Sequence, residues 1–195
     1  MSPKYILLGG YPSRASDGGK AFLEEFINGF EESVKILDCV FARPQGEWEE
    51  KVTEDREFFK THLTGKKFKI ELAQPEKFID QVKWANAIYF CGGRTSQLKK
   101  ILAESPGWER ELEGKTIAGT SAGANMIAKY YYGLDGLRIG KGLGLLPIKV
   151  LVHYRSDYNA PNIDWNKTYA ELKNHKEDLP LLTLAEGQFE VIMSQ

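Results

Sequence analysis

Short apolar runs rich in β-branched and aromatic residues alternate along this chain with longer segments whose apolar residues recur at helical spacing. No other feature constrains the fold as much. "YILLGG" (Tyr5 to Gly10) precedes a segment striped by Phe22, Leu23, Phe26, Ile27 and Phe30, and "VKILDCVFA" (Val34 to Ala42) precedes a charged one striped by Trp48, Val52, Phe59 and Leu63. "KFKIELA" (Lys67 to Ala73) alternates like an exposed strand, and "ANAIYFCGG" (Ala85 to Gly93) reads as a buried strand ending in a diglycine. A helix through Leu98, Ile101 and Leu102 breaks near Pro106 and resumes at Trp108 and Leu112. "KTIAGTS" reads as a strand, and "AGANMIAKYYY" as a helix with Met126, Ile127, Tyr130 and Tyr131 inward. The C-terminal third reads as a strand within "LGLLPIKVLVHY", a helix from about Asp164 to His175, and two closing strands, "LPLLTLA" and "FEVIMS". Helical crossovers let strands run parallel, so the pattern predicts a single α/β domain over residues 1–195, with a mostly parallel sheet covered by helices on both faces. Such sheets bind ligands beyond the carboxyl ends of their strands. Three strand ends therefore matter most: Cys91-Gly92-Gly93, Gly119-Thr120-Ser121 and Val152-His153-Tyr154.

Composition narrows the function. With 42% hydrophobic and 12% aromatic residues in 195, the chain can bury a substantial core. Its 26 basic and 27 acidic residues nearly cancel, and no basic run could track a phosphate backbone, which argues against nucleic acid as a partner. The opening "MSPKYILLGGYP" has only four apolar residues in succession before two glycines, too few for a signal-peptide core or a membrane span. A soluble, cytoplasmic protein without a membrane partner is expected. Cys39 and Cys91 lie far apart, with no histidine at ligand spacing, so buried thiols are expected and neither a disulfide framework nor a metal site. The loop "GGYPSRASDGGKAF" contains Gly18-Gly19-Lys20, but Arg14 stands where a phosphate-binding loop needs glycine and Ala21 where it needs Ser or Thr. It reads as a pocket rim or a connector.

"GTSAG" (Gly119 to Gly123) fits Gly-x-Ser-x-Gly, in which a strained strand-to-helix turn exposes a serine hydroxyl at the top of a sheet. With glycine at about 7% of residues, the pattern arises by chance in roughly one chain in twenty of this length. Its strand-before, helix-after context is what makes Ser121 a candidate nucleophile, and the helix directs its first amides, near Ala122, toward a developing oxyanion. A serine needs a base. Of the three histidines, His62 falls in a polar stretch and His175 in a helix end, whereas His153 ends an apolar strand at the same sheet edge. The base needs an orienting carboxylate, and two are available: Asp135, in a glycine-rich loop, and Glu186, which closes an apolar strand and is preferred on geometry. The amides of Gly92 and Gly93 are candidate oxyanion donors.

"IYFCGGRTSQLKKIL", "GTSAGANMIA", "GLGLLPIKVLVHY" and "LAEGQFEVI", in that order from about Ile88 to Ile192, resemble the dipeptidase E and cyanophycinase family of serine peptidases. The resemblance implies a three-layer, flavodoxin-like sandwich related to class I glutamine amidotransferases. It makes Ser121 the nucleophile, His153 the base, Asp135 or Glu186 the third member, and Gly93 and Ala122 the oxyanion donors. Gln97 would line the substrate pocket, no cofactor would be needed, and a homodimer would be in keeping. Relatives that cleave after aspartate carry Asp-Pro-His or Asp-Gln-His at the histidine and arginines soon after it. Here Leu151 and Val152 precede His153, and only Arg155 is near, with Lys167 further on, so the resemblance leaves the preference for an N-terminal aspartate open. The expected activity is hydrolysis of a small peptide substrate through an acyl-enzyme. An α/β-hydrolase esterase also fits Gly-x-Ser-x-Gly, but no HGGG-type loop precedes the serine; a non-catalytic ligand-binding domain of the same architecture is the third reading.

Overall fold

The computed structural model describes residues 2–30, 33–156, 158 and 163–193. Its first half follows the predicted order. Strand β1 (Lys4–Leu8) leads to α1 (Lys20–Ile27), β2 (Ser33–Cys39) to α2 (Trp48–His62), β3 (Lys67–Leu72) to α3 (Phe78–Trp84), and β4 (Ala87–Phe90) to α4 (Thr95–Leu102). Then come β5 (Thr116–Thr120), α5 (Ala122–Ile127), β6 (Ala128–Gly133), β7 (Arg138–Lys141), β8 (Leu146–Val152), α6 (Trp165–Lys173), β9 (Leu181–Leu184) and β10 (Phe189–Met193). Ser194, at the end of the last predicted strand, lies outside the described residues.

The strands form two sheets where one was expected. The larger has the order β10-β1-β5-β4-β2-β3, parallel except for β10, and the smaller has the order β7-β6-β8-β9 with β7 antiparallel. Every residue of β4 and β5 is buried, which is why both read as continuous apolar runs: helices cover both faces of a central parallel strand. At the edge, β3 is only half-buried and alternates instead.

The second sheet also corrects a helix. The segment predicted to carry Tyr130 and Tyr131 inward on a helix is β6, where Ala128, Tyr130 and Tyr132 are buried and the residues between them are less so. That period of two belongs to a strand. Helix α5 stops at Ile127 because Ala128 takes an extended conformation, and aromatic residues favour the half-buried strand that follows.

The core beneath the site is aromatic. Phe22 and Phe26 of α1 and Phe59 of α2 surround the buried ring of Tyr89 on β4, with centroids 5.9 to 6.2 Å from it. Each such ring buried contributes about 1.5–3 kcal/mol. The packing also aims Tyr89, whose hydroxyl meets Thr120 Oγ1 at 3.0 Å, beside the end of β5.

Candidate active site

Ser121 sits between β5 and α5 with φ 50 and ψ −101. That conformation is disfavoured for a residue with a side chain, by about 1–3 kcal/mol, and surrounding contacts hold it. The Ser121 amide donates to Leu8 O at 3.0 Å, and its carbonyl accepts from the Asn125 amide at 2.9 Å. The flanking glycines are needed for close approach: a Cβ on Gly119 would lie 2.5 Å from Gly123 C, and one on Gly123 would lie 2.4 Å from Phe90 O. The Gly-x-Ser-x-Gly spacing is thus a packing requirement that leaves the hydroxyl projecting.

His153 follows directly on β8, in the other sheet, and reaches Ser121 because the two sheets meet there. Its amide donates to Gly9 O, just past β1, at 3.0 Å, while the next amide, of Tyr154, donates to Leu184 O on β9, also at 3.0 Å. The ring is buried, with Nε2 2.9 Å from Ser121 Oγ and Nδ1 3.3 Å from Glu186 Oε1. The tautomer that satisfies all three groups carries its proton on Nδ1 and accepts the serine hydroxyl at Nε2. Glu186 lies in the turn after β9, its Oε1 also accepting from Ser156 Oγ at 2.9 Å and its Oε2 from the Arg14 guanidinium.

Burial, with the Arg14 charge acting the same way, lowers the His153 pKa below the ordinary 6.5; the hydrogen bond and charge of Glu186 oppose this only in part. The imidazole is therefore neutral at pH 7, as a proton acceptor must be. Tyr158 stacks on it with centroids 4.5 Å apart, and Tyr11 packs edge-on against Tyr158 at 5.2 Å. Hydrogen bonding to Tyr11, and then burial, push the Tyr158 hydroxyl up to about 12.

A cavity of about 270 Å³ opens beside Ser121 and His153. Gly92 and Gly93 line it, and the amides of Gly93 and Ala122 have no acceptor among the described residues. Arg43 borders the same cavity, its Nε donating to Gly92 O at 2.9 Å. Lys51 also lines the cavity and is paired with Glu54 at 3.2 Å and Asp55 at 2.8 Å. A hydroxyl on a neutral, carboxylate-oriented imidazole, beside unpartnered amides, is equipped for acyl transfer.

The model of peptidase family S51 matches residues 22–194. The chain belongs to peptidase family S51. It is accordingly a peptide-bond hydrolase of the serine type. Two solved structures show the same fold. One is a peptidase from an acI-B1 Actinobacterium, 20% identical, with TM-score 0.62 over 99% of this chain and 84% of the other. The second, provisionally assigned as peptidase E, is from Listeria monocytogenes EGD-e: 17% identical, with TM-score 0.67 over 100% of this chain and 99% of the other. No curated protein matches the sequence at significance.

Against this S51 frame the expected residues divide. Ser121, His153 and Glu186 come together, with Gly92, Gly93 and Ala122 beside them. Asp135 does not join them: it is exposed in the β6–β7 turn, on the cavity rim, and makes no hydrogen bond to His153. Gln97 does not line the cavity; its Nε2 donates to Arg43 O and braces the loop that carries Arg43. Arg155 is exposed, lies over the Tyr154 ring at 5.2 Å and is not among the cavity residues. Arg14 and Arg43 carried no periodic or motif signal, because each stands alone in a loop. Asp38 did carry one, as the single carboxylate in the apolar run "VKILDCVFA". Both cysteines are free and buried. Among the described residues no helix is long and apolar enough to cross a membrane, and no cluster of three His, Cys, Asp or Glu side chains could hold a metal ion.

Proposed function

We propose that this S51 peptidase removes the first residue of short peptides, with a preference for an acidic one, through a Ser121–His153–Glu186 triad. The observation that carries the reading is the continuous contact from Ser121 Oγ through the His153 ring to Glu186 Oε1. Ser121 Oγ attacks the first carbonyl carbon while its proton passes to His153 Nε2. The amides of Gly93 and Ala122 receive the oxyanion. As the tetrahedral intermediate collapses, the C–N bond breaks and the leaving amine takes the proton from Nε2. Water then attacks the acyl-serine ester with His153 again as base, releasing the free amino acid and restoring Ser121.

The acidic preference rests on Arg43. Among the described residues Arg43 has no carboxylate partner, whereas Lys51 is already neutralised by Glu54 and Asp55. The bond from Nε to Gly92 O leaves the two terminal nitrogens of the fork for a substrate carboxylate, which a guanidinium binds in bidentate fashion. Arg43 thus takes the role that sequence reasoning offered to Arg155.

Hydrolysis of Asp-Leu, Asp-Leu-amide and Ala-Leu by the parent protein and by Arg43→Met tests this reading. The expected result is that both aspartyl substrates exceed Ala-Leu by about tenfold or more in kcat/KM, and that Arg43→Met removes the difference. Equal rates on Asp-Leu and Ala-Leu in the parent would refute the acidic preference. A requirement for the free carboxyl terminus would reassign Arg43 to the other end of the peptide.

A further inference from the structure

The Glu186 carboxylate is anchored at both oxygens. His153 and Ser156 share Oε1, and Oε2 belongs to Arg14, which lies in the loop after β1, remote in sequence. Arg14 is itself placed: its guanidinium lies 4.7 Å over the ring of Tyr11, which borders the cavity. The loop carrying Arg14 and the turn carrying Glu186 also touch through backbone. The Gly187 amide donates to Gly10 O at 2.8 Å, and a Cβ on Gly187 would lie 2.5 Å from the Ala15 amide nitrogen. The ion pair therefore does not have to hold the loop in place. With its side chain 53% exposed, Arg14 adds little to stability through that pair.

We propose that Arg14 is a positioning residue that fixes the rotation of the Glu186 carboxylate against His153 and tempers its negative charge. The inference rests on the triad reading above. Without Arg14, Oε2 has no partner among the described residues, and the carboxylate can turn toward solvent. Without its charge, Glu186 stabilises the imidazolium more strongly, because a cation behind a carboxylate offsets part of its field. Among the described residues the other groups at the ring are Ser121 from the β5–α5 turn, Tyr11 from the β1 loop and Tyr158 beyond β8, and the titratable groups Arg43, Lys51, Glu54, Asp55, Tyr89, Cys91 and Asp135 line the same cavity. Glu186 is the carboxylate in hydrogen-bond contact with the ring, so a change at its far oxygen is felt at His153 first.

The test is the pH profile of kcat/KM for the parent, Arg14→Met, Arg14→Gln and Arg14→Lys on one dipeptide substrate, with Ser121→Ala alongside. Arg14→Met should lower kcat by roughly 10- to 100-fold, as loss of an orienting partner does elsewhere, with little change in KM. Its acid limb should move to higher pH by about half a unit or more. Arg14→Gln, which keeps a donor for Oε2 without the charge, should show the same limb shift with a smaller loss of kcat, and it serves if Arg14→Met fails to fold. Arg14→Lys should return the limb to the parent position. An unshifted limb in both uncharged variants overturns the proposal, since a merely structural arginine would leave it in place. Parent-level hydrolysis by Ser121→Ala would instead overturn the triad reading on which the proposal rests.

Discussion

His153 Nδ1 lies 3.3 Å from Glu186 Oε1, on the side of the ring opposite Ser121, whereas Asp135 is exposed on the rim without a bond to the ring. This relationship supports the proposed role of Glu186. Glu186→Gln should lower kcat by roughly 10³–10⁴-fold, because an amide no longer fixes the tautomer or supports the imidazolium. Asp135→Asn should stay within about threefold of the parent. Steady-state kinetics of the two variants decide the matter, and the reverse ranking would make Asp135 the partner.

The acid limb of kcat/KM should lie below pH 6.5. Burial first, then the Arg14 charge, lower the His153 pKa, and Glu186 restores only part of the loss. A general base works in its neutral form, so activity rises with pH through the His153 pKa and is flat near neutrality. A profile on a substrate that does not titrate nearby measures this, and a limb above pH 7 would contradict it.

A methyl group on Gly10 would lie 2.2 Å from His153 Cε1, at a residue whose φ of 148 already disfavours a side chain. Gly10→Ala should therefore displace the imidazole. A displacement near 1 Å costs on the order of 10²-fold in turnover. The loss should fall on kcat, and the strain of a side chain at this φ should lower the melting temperature as well, so activity is compared between fully folded samples. Parent-level kcat in a folded Gly10→Ala would contradict the placement of the ring.

Asp38 is fully buried near the end of β2, and among the described residues neither carboxylate oxygen has a hydrogen-bond partner apart from the facing Asp55 carboxyl. Burial, and then the Asp55 charge, hold the Asp38 carboxyl well above the usual range, against the opposing charges of Lys51 and Arg56. A carboxyl with a raised folded-state pKa stabilises below its unfolded value, about 3.9, and that stabilisation is lost as pH rises toward the folded value. Asp38→Asn removes this titration and keeps a donor toward Asp55. Its melting temperature should approach the parent's at about pH 4 and exceed it at about pH 7.5, by roughly 2–4 °C for each kcal/mol gained. Calorimetry at the two pH values checks this, and a difference independent of pH would contradict it.

The convergence of Ser121, His153 and Glu186 was legible because each ends an apolar run, and strand ends of a parallel sheet meet at one edge. Which of Glu186 and Asp135 would reach the His153 ring was less legible. Both follow a strand into a polar turn, and what separates them is that the turn after β9 touches Gly10 while the β6–β7 turn stays on the rim. The second sheet was hidden for a similar reason. Pairing of β6 with β8 and of β8 with β9 is long-range, and the six residues of β6 follow a short helix whose apolar spacing they continue in the sequence. Arg43 and Arg14 could not be found from spacing, since the loops that carry them meet Gly92 and Glu186 only in three dimensions.

Acyl transfer by this route requires Ser121 to be an activated nucleophile, and a fluorophosphonate probe followed by peptide mass spectrometry measures that most directly. The prediction is a stoichiometric phosphonyl adduct on Ser121 of the parent protein, absent from Ser121→Ala and strongly slowed in His153→Ala. An unlabelled parent protein, or an adduct on another residue that persists in Ser121→Ala, would contradict it.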